Sequence, residues 1–223
     1  AFLTLEKKGL EYPLELNKKS LFTYSSNILS PMDLENVSKI KVYYKDTTPN
    51  EIFSMDQYGA IILPDSAFNF SFFDNQIIIS GLEHTFYDTV YFWAQYADAI
   101  KPQNGTLVSN IFKLYPDLIP FNKEISLDIA ISKHNYPKYL SIYYYNEKKQ
   151  SWHFMPSNYN SDSTYMQTKI LSGEIFAIIQ EELNPTISSF IPQINGTYYS
   201  SDLEHISFHL DDNLIFISAT FKG

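Results

Sequence analysis

Apolar and polar residues alternate with a period of two along much of this chain. Ile125, Leu127, Ile129 and Ile131 alternate with Ser126, Asp128, Ala130 and Ser132. Ile40, Val42 and Tyr44 alternate with Lys39, Lys41, Tyr43 and Lys45. Successive strand side chains point to opposite faces, so this period predicts half-buried β-strands. Residues 139–180 read as four short strands with turns between them, one of them at 146–150. Further strands are predicted within 60–63, 76–80, 89–94 and 107–115. Gly59, Pro64, Asp65, Asp74, Asn75 and Gly81 punctuate them, and Pro49 with Asn50 predicts another turn. The best helix signal is short. Ser30 can cap, Pro31 suits the first helical position, and Asp33 and Glu35 place acids in the first turn.

This spacing predicts an all-β chain of tandem antiparallel β-sandwich units of the immunoglobulin-like kind. Residues 1–28 read as an N-terminal extension, and 29–116 as a first sandwich unit. Pro116 and Pro120 bracket an irregular link, so 117–183 reads as a second unit. Residues 184–223 read as the start of an immunoglobulin-like domain. They are too few for the ~100 residues that such a domain needs, so truncation from a longer protein is expected.

Composition narrows the function classes. The 223 residues include 18 Tyr and 17 Phe, which suit half-buried strand surfaces. Only seven are Gly, which counts against Gly-rich phosphate loops. The formal charge is −9, and every basic residue is Lys. Arg is the preferred bidentate partner of phosphate and guanine, so an acidic, Arg-free chain predicts no nucleic-acid partner. Long apolar runs are missing from the sequence, which predicts no membrane insertion. Cys is absent as well, which excludes disulfides and thiolate chemistry and leaves the compartment open.

Few residues suggest chemistry. His84 and Asp88 are four apart, but on an extended strand they would lie roughly 13 Å apart at ~3.3 Å per residue. His205 and His209 flank Ile206 and Phe208 in a strand-like pattern. Asp202, Asp211, Asp212 and Asn213 form the best oxygen-ligand group, a possible calcium site or simply a polar turn. No Ser stands in a Gly-x-Ser-x-Gly elbow, and adjacent pairs such as Glu181 and Glu182 cannot oppose each other across a substrate. The expectation is therefore a chain without a catalytic centre and without an obligatory cofactor. The aromatic clusters remain: Tyr143, Tyr144 and Tyr145; Tyr198 and Tyr199; and Tyr91 with Trp93 and Tyr96. Tyr143, Tyr145 and Trp152 are the expected ligand-binding rings.

Several segments carry a family resemblance: Phe112-Lys113-Leu114-Tyr115-Pro116, Ile119-Pro120-Phe121-Asn122, Leu140 to Tyr145, Trp152-His153-Phe154-Met155-Pro156, Ile175-Phe176-Ala177, and the Asn184-Pro185-Thr186-Ile187 junction. Together they resemble the β-sandwich regions of large exported bacterial proteins, in particular those appended to M23-type (lysostaphin-like) peptidoglycan peptidases. The resemblance implies an extracytoplasmic accessory module of a bacterial surface or envelope protein, binding a protein partner or a neighbouring domain of its own chain. Two alternatives stand beside it. One is a carbohydrate-binding module that takes a glycan. The other is a subunit of an envelope assembly whose last sandwich is completed by a partner chain.

Overall fold

A computed structural model describes residues 2–20, 23–45, 49–56, 58–103, 105–117, 119–131, 139–181, 186–191 and 207–211. The described residues are all-β, with several sheets and antiparallel pairing throughout. Their one helical turn is a 3-10 turn, η1 (Pro31–Leu34). Ser30 caps it: its hydroxyl accepts from the Asp33 N–H, while the Asp33 carboxylate accepts from the Ser30 N–H at 2.8 Å. The Ser30 N–H, and after it the Ser30 hydroxyl, which also donates to the Asp33 carboxylate at 2.8 Å, hold the Asp33 carboxyl below its ordinary pKa.

The N-terminal part forms a four-stranded sheet from β1 (Phe2–Lys7), β2 (Leu10–Leu14), β5 (Val37–Lys45) and β6 (Pro49–Asp56), in the order β2-β1-β5-β6. A small pair, β3 (Asn17–Lys18) and β4 (Tyr24–Ser25), lies between β2 and η1 in the chain. Residues 1–28 are therefore not a separate extension, because β1 supplies the neighbour that β5 needs on one side. Pro49 and Asn50 belong to β6, opposite Lys45 and Tyr44, and are not the predicted turn.

Two larger sheets follow. One has the order β15-β14-β18-β12-β10-β7, with β11 also alongside β18. It is made of β7 (Tyr58–Ile62), β10 (Val90–Tyr96), β11 (Gly105–Leu107), β12 (Phe112–Tyr115), β14 (Leu140–Asn146), β15 (Ser151–Met155) and β18 (Ile175–Glu181). The other has the order β16-β17-β13-β9-β8. It uses β8 (Phe68–Phe72), β9 (Ile77–Gly81), β13 (Ile125–Ala130), β16 (Asn158–Tyr159) and β17 (Tyr165–Ile170). A last antiparallel pair joins β19 (Thr186–Ile191) and β20 (Ser207–Asp211).

The two larger sheets face each other across one core. Phe92, Phe112, Leu114, Ile142, Phe176 and Ile178 of the first share a buried cluster with Phe72, Ile77, Ile79, Leu127, Ile129 and Met166 of the second. This corrects the boundary expected between 116 and 117. β12 precedes that boundary and pairs with β18 beyond it, and β9 pairs with β13 across it. A cut there would expose inward-facing residues of both sheets, so the described residues of 58–181 share one main core.

The strand β18 explains the continuous apolar run near residue 177. Phe176 and Ile178 point into the main core. Ile175 and Ala177 point the other way, into a second cluster with Ile111, covered by Ala97, Ile100, Leu107, Tyr145 and Trp152. The segment between β10 and β12 thus crosses the outer sheet face. It is tied down by β11 and by Ser109, whose hydroxyl accepts from the Ile178 N–H at 2.8 Å. A strand buried on both faces loses the alternation that marks a half-exposed one.

Candidate functional site

The outer face of the larger sheet carries a ladder of rings. Trp93 on β10 stands directly opposite Tyr115 on β12. Their rings stack with centroids 4.4 Å apart and planes 8° from parallel. Tyr91 adds a third ring, 5.8 Å from Trp93. The Gln95 side-chain amide donates to the Tyr115 hydroxyl at 2.9 Å. Lys113 lies 5.2 Å from the Tyr115 ring centroid and bridges Asp117 at 3.5 Å and Glu147 at 3.4 Å. Burial works against the Lys113 charge, but Tyr115, Glu147 and Asp117 outweigh it and raise the ammonium pKa. The ring faces are turned toward one another, so this ladder stabilises cross-strand pairing.

A cleft of about 610 Å³ opens beside the ladder. Tyr58 and Tyr96 line it and are 40% and 49% exposed. Both rest on the buried ring of Phe73, at 4.5 and 4.3 Å between centroids. Gln95, Lys113, Asp56, Asp98 and Glu147 supply the polar lining. Tyr58 begins β7 and Tyr96 ends β10, and the antiparallel register brings those ends together with Ala94 opposite Tyr58. Phe73 reaches them from the turn between β8 and β9, where the chain takes positive φ at Phe73, Asp74 and Asn75.

Glu174 lies next to Ile175 of the cleft wall. Burial raises its carboxyl pKa, the Ser172 hydrogen bond opposes this, and the charges of Glu147 and Asp117 add to the rise. The folded pKa thus lies above the ordinary 4.5. Between the two values the folded state holds a proton that the unfolded state has released, so stability falls as pH rises through that window. Glu174→Gln removes this loss. Denaturant titrations at several pH values are expected to show the variant more stable than the parent above the window and equal to it below. Equal stability at every pH would refute this.

The residues singled out in the sequence are scattered. Tyr143 is 0% exposed and makes an edge-on contact with Phe154 at 5.9 Å, so it cannot serve as an external stacking ring. Tyr145 and Trp152 pair at 5.3 Å but are half-buried beneath the crossing segment. His84 Nδ1 meets Asp65 at 3.3 Å, while Asp88 accepts from the Thr89 N–H at 2.7 Å. His153 stacks on Tyr144 at 5.1 Å. Glu181 closes β18 and is buried. Asp211 ends β20 opposite Thr186. Asp202, Asp212, Asn213, His205, Tyr198 and Tyr199 lie outside the described residues. The cleft residues Gln95, Lys113 and Tyr115 were not singled out, although the Phe112-Lys113-Leu114-Tyr115 alternation already places Lys113 and Tyr115 on one face.

The fold defines an all-β protein of several antiparallel sheets with aromatic clusters and, at the end of β10, an aromatic, carboxylate-bearing cleft. No protein-family model and no curated protein sequence matches the chain.

Proposed function

We propose that the chain is a non-catalytic, extracytoplasmic β-sandwich module of a bacterial surface or envelope protein that holds a protein partner or a neighbouring domain. The observation that supports this is the N-terminal sheet. Its register places Leu3, Leu5, Tyr12, Leu14, Ile40, Val42 and Phe53 on one side, together with Leu10. Leu10, Tyr12 and Phe53 remain 63%, 47% and 52% exposed there. The opposite side is mostly polar, with Phe2 stacked on Tyr43 at 5.0 Å. On it Lys41 sits 2.8 Å from Glu6 and 2.7 Å from Glu11, and the Tyr43 hydroxyl donates to Glu11 at 3.1 Å. A sheet with one apolar side gains by covering it, and large apolar side chains left exposed at both edges of that side suit an interface. The immunoglobulin-like character is the finer reading, supported by two antiparallel sheets around one core. The extracytoplasmic placement rests on the sequence resemblance.

The test is hydrogen exchange on the isolated chain and on the same chain in its native envelope preparation. The expected result is added protection of β1, β2 and β5 in the native setting. Leu10→Glu combined with Phe53→Glu should weaken that association by about tenfold or more, because buried apolar anchors dominate interfaces. Far-UV circular dichroism should stay unchanged. Identical exchange in both settings would defeat the proposal.

A further inference from the structure

We propose that the cleft between Tyr58 and Tyr96 is a binding site for an uncharged saccharide. The cleft takes one lining residue, Asp56, from the N-terminal sheet, but it does not involve that sheet's apolar side, which has its own test above.

Size is the first ground. A cleft of about 610 Å³ lies within the ~300–1,000 Å³ range of small-ligand sites and can hold a short oligosaccharide. The second ground is the pair of rings. Tyr58 and Tyr96 are exposed, yet Phe73 sits against both and restricts their movement. An apolar sugar face needs such a fixed aromatic surface, and a ring that is already ordered loses little entropy on binding.

The third ground is the polar lining. Gln95 uses its amide N–H on the Tyr115 hydroxyl, which leaves its carbonyl oxygen to accept. Asp56 is paired with Lys39 at 3.3 Å, and Glu147 with Lys113 at 3.4 Å. Asp56 has its own lysine, whereas Glu147 shares Lys113 with Asp117, and both keep lone pairs that accept from hydroxyls. Asp98 is exposed at the rim. A cationic peptide would have to displace two lysines that already occupy these acids. An anionic ligand would meet Asp98 and a chain of formal charge −9. A neutral polyol meets neither obstacle. At the end of β10 it can stack on the tyrosines, which lie on the core side of the sheet, and reach past the strand end to Asp98 and to Gln95 on the outer side.

The experiment is protein-observed NMR titration of the full chain with maltotriose, cellotriose and N,N′,N″-triacetylchitotriose, with trilysine in parallel. At least one saccharide is expected to bind in the micromolar-to-millimolar range, shifting Gln95, Tyr96 and Asp98. Its affinity should be insensitive to added salt, because no net charge is neutralised. Tyr96→Ala is expected to weaken binding about tenfold and Asp98→Asn about fivefold, the scale set by one lost stacking or hydrogen-bonding partner. Asp98→Asn changes an exposed side chain and keeps the test valid if Tyr96→Ala perturbs folding. Failure of all three saccharides to bind would overturn the proposal. So would binding of trilysine alone with an affinity that collapses in salt, which would make the cleft a cationic-peptide site.

Discussion

Phe92→Ala is expected to lower the unfolding free energy by about 3–5 kcal/mol, the usual cost of truncating a fully buried phenylalanine. Phe92 lies on β10 in the larger sheet and is completely buried. It stacks against Phe72 of the facing sheet at 6.3 Å between centroids. It also contacts Phe86, on the connection from β9 to β10, at 6.4 Å, and Phe121, on the connection from β12 to β13, at 6.3 Å. One side chain therefore joins both sheets and two crossings between them. The surrounding rings are held by separate elements and cannot collapse together into the space. The two tryptophans make the result decisive. Trp93 precedes the boundary expected from the sequence and Trp152 follows it. With one shared core, single-tryptophan variants should report the same melting transition, and Phe92→Ala should lower both equally. If the Trp152 transition stays put while the Trp93 transition falls, two separate cores exist.

Gly173→Ala is expected to cost about 3 kcal/mol, the upper end of ordinary overpacking. A Cβ at this position would lie 2.4 Å from the Leu114 carbonyl oxygen and 2.5 Å from that of Pro116. Both obstacles are backbone. Neither can swing away without moving the end of β12, whose Leu114 N–H donates to the Glu174 carbonyl at 2.9 Å. Gly59 is the useful contrast. A Cβ there also meets an atom at 2.4 Å, but that atom is the tip of the Tyr91 ring. A side-chain tip can shift at lower cost, so Gly59→Ala should destabilise less than Gly173→Ala. Chemical denaturation of both variants checks the order, and equal losses would contradict it.

The strands themselves were legible where one face is buried and the other is not. Ile125–Ala130 alternates in the structure as it does in the sequence, because each strand residue meets either core or solvent. The Ser30 cap and its short 3-10 turn were legible too, since their hydrogen bonds are local in sequence. β8 was missed despite the alternating Phe68, Phe70 and Phe72, which lie in an aromatic-rich run between turn residues. The domain boundary was misread because Pro116 and Pro120 mark an irregular link. An irregular link between units and a crossing between two sheets of one core look the same in sequence.

The candidate site shows the same division. Alternation correctly places Tyr143 and Tyr145 on one face, but it does not tell what lies over that face. The segment between β10 and β12 covers Tyr145 and Trp152, while Tyr58 and Tyr96, on the core side at the end of β10, stay open. Tyr58, Phe73 and Tyr96 come together only because β7 pairs with β10 while the β8–β9 turn reaches across from the other sheet. The sequence alone determined the antiparallel all-β character, because strand period, turn residues and aromatic content act over a few residues. Tertiary structure alone decided the single core, the buried and open rings, and the cleft. Each of those depends on contacts between residues far apart in the chain, and no local pattern records them.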